Sequence, residues 1–258
     1  MVNPAPQFAE LLARPDIWRG RCAEAALPAV ASGHAALDAE LPGRGWPRGA
    51  VTELLCDGAG QGELGLLLPA LRQLGTTGWL LFIAPTYALH APAWAAAGVP
   101  LDKLVVVRSP LSAMGRRAKL DALNLLWAAE QALRSDAPAA VVCWSAQADA
   151  RAVRRLQAAA APSHAAMFLF RPRCHAAHAS AAPLRLALMS GTDGALDVSI
   201  LKRRGPPLGR ALSLTLPRPA LWRPYVQDVR HGVTHGSTLA RGASAAPAAR
   251  RPSPATLA

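Results

Sequence analysis

Residues 54–71 read "LLCDGAGQGELGLLLPAL", an apolar run that enters a glycine cluster and leaves it as an apolar, helix-forming segment. Gly58, Gly60 and Gly62 let the backbone turn tightly between the two. Strand, glycine turn and helix in that order are the frame of a phosphate-binding loop. Its chemistry needs more: a first glycine for the turn, a lysine on the β- and γ-phosphates, and a hydroxyl on Mg²⁺. Here Asp57 stands at the first glycine, Glu63 at the lysine and Leu64 at the hydroxyl. At about 4 Å and an effective dielectric near 20, a lysine gains roughly 4 kcal/mol against one phosphate charge, and a carboxylate loses about as much. Glu63 should therefore oppose a bound triphosphate. The glycines are expected to serve as a strand-to-helix turn, with no cofactor held.

Other residue sets with chemical potential are weaker. "CHAAH" (Cys174, His175, His178) has metal-ligand types but no second ligand pair at a suitable spacing, so it reads as a polar loop. The four cysteines are scattered without a C-x-x-C pair, which points to a reducing cytoplasm. Ser109, Ser112, Ser145 and the seven histidines form no nucleophile motif. Arg151, Arg154 and Arg155 make a basic helical patch, either a phosphate-backbone contact or a solvated helix face.

The elements that would position these residues follow from periodicity. The sequence predicts a strand at 50–56 and a helix at 63–74, then a strand at 79–84 and a helical stretch at 89–97. A strand at 104–108 precedes a long helix, 116–134, whose apolar stripe (Leu120, Leu123, Leu126, Trp127) should face the core. A strand at 139–144, a helix at 148–160 and a strand at 166–170 complete the alternation. These strands are continuous apolar runs, the mark of a parallel sheet covered by helices on both faces. After the loop at 171–183, three short segments (184–189, 196–201, 210–216) joined by turns read as an antiparallel extension. Tryptophans 46, 79, 94, 127 and 144 lie in apolar stretches and are expected in the core.

At the two ends, residues 1–30 suggest a short helical segment, and 229–258 lack periodicity and should form a disordered basic tail. The last 57 residues hold ten Lys/Arg against Asp228 alone, so they carry +9 of the net +12. An anionic partner and a GC-rich, arginine-favouring composition both explain that bias. Trp18 and Trp222, next to Arg19 and Arg223, are candidate interface anchors, with Arg241, Arg250 and Arg251 in the tail as further candidate contacts. No window of about 18 apolar residues suggests a membrane span, and the start of the chain does not resemble a signal peptide.

Colinear motifs give the middle of the chain a family resemblance. "SGHAALDAELPGRGWPRGAVTELL", "FIAPTYALHAPAWAAAGVPLDKLVVV" and "SILKRRGPPLGRALSLTLP" resemble successive parts of the RecA-like ATPase core over about residues 31–217. That implies a RecA-like domain at 31–228. "LDAELPGRGWPRGAVTELL", "GELGLLLPAL" and "LKRRGPPLG" look more specifically like ImuA, a SulA-like accessory family of damage-induced mutagenesis. By this resemblance the acid of the metal-binding strand falls at Cys143 and the catalytic glutamate at Thr86. With Glu63, none of the three positions carries the residue an ATPase needs, so no enzymatic activity is expected. The RecA DNA-binding loops are shortened, which makes direct DNA contact a lesser expectation than protein contact.

The ImuA resemblance implies a non-catalytic role in SOS-induced translesion synthesis. The partners would be an ImuB-like adaptor, an error-prone replicative-type polymerase and RecA, with nucleoid association after DNA damage. Two alternatives stay open: a SulA-like inhibitor of the division protein FtsZ, and a RecA-like ATP- or DNA-binding protein.

Overall fold

The structure, a computed structural model, describes residues 28–58, 60–109 and 116–216, with backbone alone at 116–119 and 193. All its elements belong to one compact unit, Met1–Leu221. The expected helical segment through residue 27, the basic tail, and Trp18, Arg19, Trp222, Arg223, Arg241, Arg250 and Arg251 lie outside the described residues.

A small antiparallel ribbon comes first: β1 (Ala29–Val30) and β2 (Trp46–Pro47), with the short helix α1 (Ala35–Asp38) between them. The alternating part follows as β3 (Ala50–Leu55), α2 (Glu63–Gly75), β4 (Trp79–Ile83), α3 (Ala91–Ala96), β5 (Leu104–Val107), α4 (Arg116–Arg134), β6 (Pro138–Trp144), α5 (Ala150–Ala160) and β7 (Ala166–Arg171). Then come β8 (Leu184–Ser190), β9 (Leu196–Lys202) and β10 (Ala211–Leu214). One sheet of eight strands results, in the order β10-β9-β8-β3-β7-β6-β4-β5. Its six strands from β8 to β5 are mutually parallel, and β9 and β10 are antiparallel additions.

The apolar runs explain the layering. β3 and β7 are buried along their whole length because helices cover both faces. Successive side chains alternate between the faces. Leu66, Leu71 and Leu74 of α2 pack with Phe82, Val142 and Phe168 on one side. Leu126 and Leu133 of α4 and Leu156 of α5 pack with Ile83, Val141 and Met167 on the other.

Three expectations need correction. Segment 184–190 is not purely antiparallel: β8 re-enters parallel to β3, with Thr52 opposite Leu184, and only its outer edge pairs antiparallel with β9. The loop after β7 carries the chain back far enough to permit this. Second, the apolar stripe of α4 does not face the core as a unit. Leu120, Leu123 and Trp127 are 55%, 54% and 58% exposed, while Leu126, Ala129 and Leu133 are buried. The helix has two apolar stripes about 100° apart, and the one beginning at Leu126 includes the small Ala129, which suits close packing on the sheet. Third, Trp79 is 45% exposed, with the ammonium of Lys103 5.0 Å from its ring centroid. Trp46 and Trp94 are buried as expected.

Candidate functional site

The glycine loop joins β3 to α2. Gly62 caps the helix at φ +94, a left-handed conformation that suits glycine, and a Cβ there would meet Leu216 Cδ1 at 2.8 Å. Glu63, the first residue of α2, is 4% exposed and turned back into the loop. The Gly60 N–H donates to its Oε1 at 2.9 Å and the Gln61 N–H to its Oε2 at 2.8 Å. A carboxylate is favoured beside the positive end of the helix dipole. Glu63 thus takes the backbone donors that a phosphate would use, in addition to repelling one. Leu64 packs against the core, and Asp57 forms an exposed ion pair with Arg173 at 3.7 Å.

Beside the loop lies a cavity of about 660 Å³ bordered by Asp57, Gly58, Thr86, Trp144, Ser145 and Arg171. It opens at the carboxyl ends of β3, β4, β6 and β7, where ligands of parallel α/β sheets usually bind. Asp57, Gly58 and Thr86, widely separated in sequence, therefore do converge on one place. Cys143 does not. It points to the opposite face and is fully buried, and desolvation pushes its thiol up to about 12. Trp144 borders the cavity instead, stacked on Phe170 with ring centroids 4.9 Å apart. Ala84, at the end of β4, adopts a left-handed φ of +53 at the cavity wall.

Beneath the cavity is a charge network that the sequence reading missed. Glu53, fully buried in mid-β3, bonds Arg171 of β7 through Oε1, and Arg185 Nε of β8 donates to its Oε2 at 2.5 Å. Arg185 also donates to the His175 and His178 carbonyls at 2.7 and 2.9 Å, which fixes the loop after β7. Arg171 Nη2 lies 2.9 Å from His175 Nδ1; burial, then the Arg171 charge, lower the pKa of that imidazole. A glutamate inside the apolar run "AVTELL" was the available signal, because a buried carboxylate needs partners.

Elsewhere, Arg155 of the expected basic patch is bonded to Glu130, while Arg151 and Arg154 are exposed. Among the described residues, no helix is long and apolar enough to cross a membrane.

Comparison with known proteins bears on this frame. The family model "Cell division inhibitor SulA" matches residues 49–167, from the residue before β3 into β7. The cell division inhibitor SulA of Photorhabdus laumondii is 31% identical over 109 residues, 42% of this chain and 56% of that protein. SulA proteins of Pectobacterium carotovorum and Pectobacterium atrosepticum are each 38% identical over 80 residues, 31% of this chain and 42% of theirs. The matches thus span about half the length of these curated relatives.

These findings overturn the main functional expectation. The matching family and these relatives are described as division inhibitors, not as accessories of translesion synthesis. "GELGLLLPAL", which had suggested ImuA, lies inside the SulA-matched segment, so it does not separate the two families.

Proposed function

We propose that this chain is a non-catalytic, SulA-like inhibitor of bacterial cell division that acts in the cytoplasm by binding the division protein FtsZ. The observation that carries the reading is where the family match falls. Segment 49–167 contains eight of the ten large apolar residues that the described part of the chain exposes, from Trp79 and Tyr87 to Trp127. Exposed apolar groups at that density suit a protein-binding surface. The bonding of Glu63 to its own loop supports the non-catalytic part, because the donors that would hold a phosphate are occupied.

The finer fold reading belongs to the same proposal: a RecA-like core whose nucleotide site has been vacated. A glycine loop after the first core strand and an antiparallel end to a parallel sheet both favour it. The ImuA resemblance enters only at this level, as a likeness of the core within a SulA-like group.

The test is GTP-dependent FtsZ polymerisation, followed by light scattering with the purified chain added. Suppression near a one-to-one ratio is expected, together with long cells lacking septa when the chain is expressed in the host. Unchanged polymer formation and normal division would refute the proposal.

A further inference from the structure

We propose that the outer faces of α4 and α5 together form a docking surface for an acidic, amphipathic helical segment of another protein. Leu120, Leu123 and Trp127 are exposed at spacings i, i+3 and i+7, so they form one continuous ridge along α4. The same side of the helix continues to Glu130, whose carboxylate is engaged by Arg134 Nη2 at 2.6 Å and by Arg155 Nε of α5 at 2.9 Å. Both helices link parallel strands of one sheet, so they run in the same direction. The bond from Arg155 to Glu130 sets their relative level. Arg151 precedes Arg155 by one turn of α5, as Trp127 precedes Glu130 by about one turn of α4, and Arg151 is exposed. An apolar ridge thus runs beside an arginine ridge, and Arg154 is exposed on the same helix.

Charge decides the occupant. Four arginines (Arg134, Arg151, Arg154, Arg155) outnumber Glu130, which Arg134 and Arg155 share, and the N-cap carboxylate of Asp149, so the face is cationic and needs acidic groups opposite it. A second copy of the chain would bring a net charge of +12, and its last 57 residues bring +9. Residues 1–27 have three acidic and three basic side chains, so they offer no net complement. Nucleic acid would match the arginines but would leave the Leu120–Leu123–Trp127 ridge in water. A partner helix with apolar residues three to four apart and carboxylates on one flank satisfies both ridges. Tryptophan and arginine are also the side chains that most often dominate such contacts. Leu120, Leu123 and Trp127 are among the exposed apolar residues that carry the FtsZ reading, and this proposal goes beyond that reading by naming the chemistry of a helical occupant.

The experiment uses the full chain and a fluorescein-labelled amphipathic peptide of about 20 residues built from leucine and glutamate, read by fluorescence anisotropy. The controls are the same peptide with lysine in place of glutamate, phosphatidylglycerol vesicles, duplex DNA, and sedimentation velocity of the chain alone. Saturable binding of the acidic peptide is expected. It should weaken about tenfold or more in Trp127→Ala and in Arg151→Glu, with the circular dichroism of both variants unchanged. The proposal is overturned if the acidic peptide does not bind, or if the lysine peptide binds equally well. It is overturned as well if Trp127→Ala instead abolishes binding to vesicles or DNA, or dissociates a dimer of the chain. Division inhibition is measured separately with FtsZ, so the two can fail independently.

Discussion

Glu63 ties the glycine loop to the first turn of α2. Its two oxygens hold the Gly60 and Gln61 N–H groups, so Glu63→Ala leaves two donors in a half-buried loop without an acceptor. A loss of about 1–3 kcal/mol is expected, read as a lower urea midpoint with an unchanged slope. Glu63→Lys should not confer nucleotide binding, because Leu64 and Cys143 still stand where, by the resemblance, a hydroxyl and an acid would be needed. A fluorescent ATP analogue that bound this variant at micromolar concentration would refute that. Glu53 is the costlier residue. Glu53→Gln strips the buried counter-charge from Arg171 and Arg185 and should cost about 3–5 kcal/mol by denaturant titration. The two glutamates differed in legibility. Glu63 occupies a motif position whose chemistry is known. The partners of Glu53 arrive from strands more than a hundred residues later, and no local pattern announces them.

Element boundaries were legible because turn chemistry and apolar runs are local. The long helix was predicted at 116–134, and α4 occupies those residues. Which of its faces is buried depends on what packs there, and periodicity alone merged the buried Leu126 with the exposed Leu120, Leu123 and Trp127. That distinction can be measured. Leu126→Ala should cost about 2–5 kcal/mol, since it opens a cavity against the sheet. Trp127→Ala, one residue along, should stay within about 0.5 kcal/mol. If the two values were reversed, the orientation of α4 would be wrong. The role of β8 failed to show for the same reason: sequence marks a strand but not which neighbour it lies against.

For the molecule as a whole, acid should be destabilising before the carboxylates titrate. Burial lowers the pKa of His34 below its ordinary 6.5, and His175 is lowered too. The unfolded chain therefore takes up protons near that pH while the folded chain does not. Stability is complete above about pH 6.5 and declines as pH falls from there through the folded pKa values. The urea midpoint should drop between about pH 8 and pH 5.5, and less so in His34→Gln; equal drops would exclude His34 as a source. The sheet order has a further consequence, in the time dimension of synthesis. β3 leaves the ribosome first among the main-sheet strands, yet it ends between β7 and β8. Glu53 must wait 118 residues for Arg171 and 132 for Arg185. Until then the nascent chain carries its future centre as an open-edged strand with an uncompensated charge, the kind of intermediate that chaperones hold. The late parallel strand β8, which fills the open edge of β3 and brings Arg185, is thus the latch of this fold, and a chain stalled before it would be a substrate for proteolysis rather than a smaller working domain.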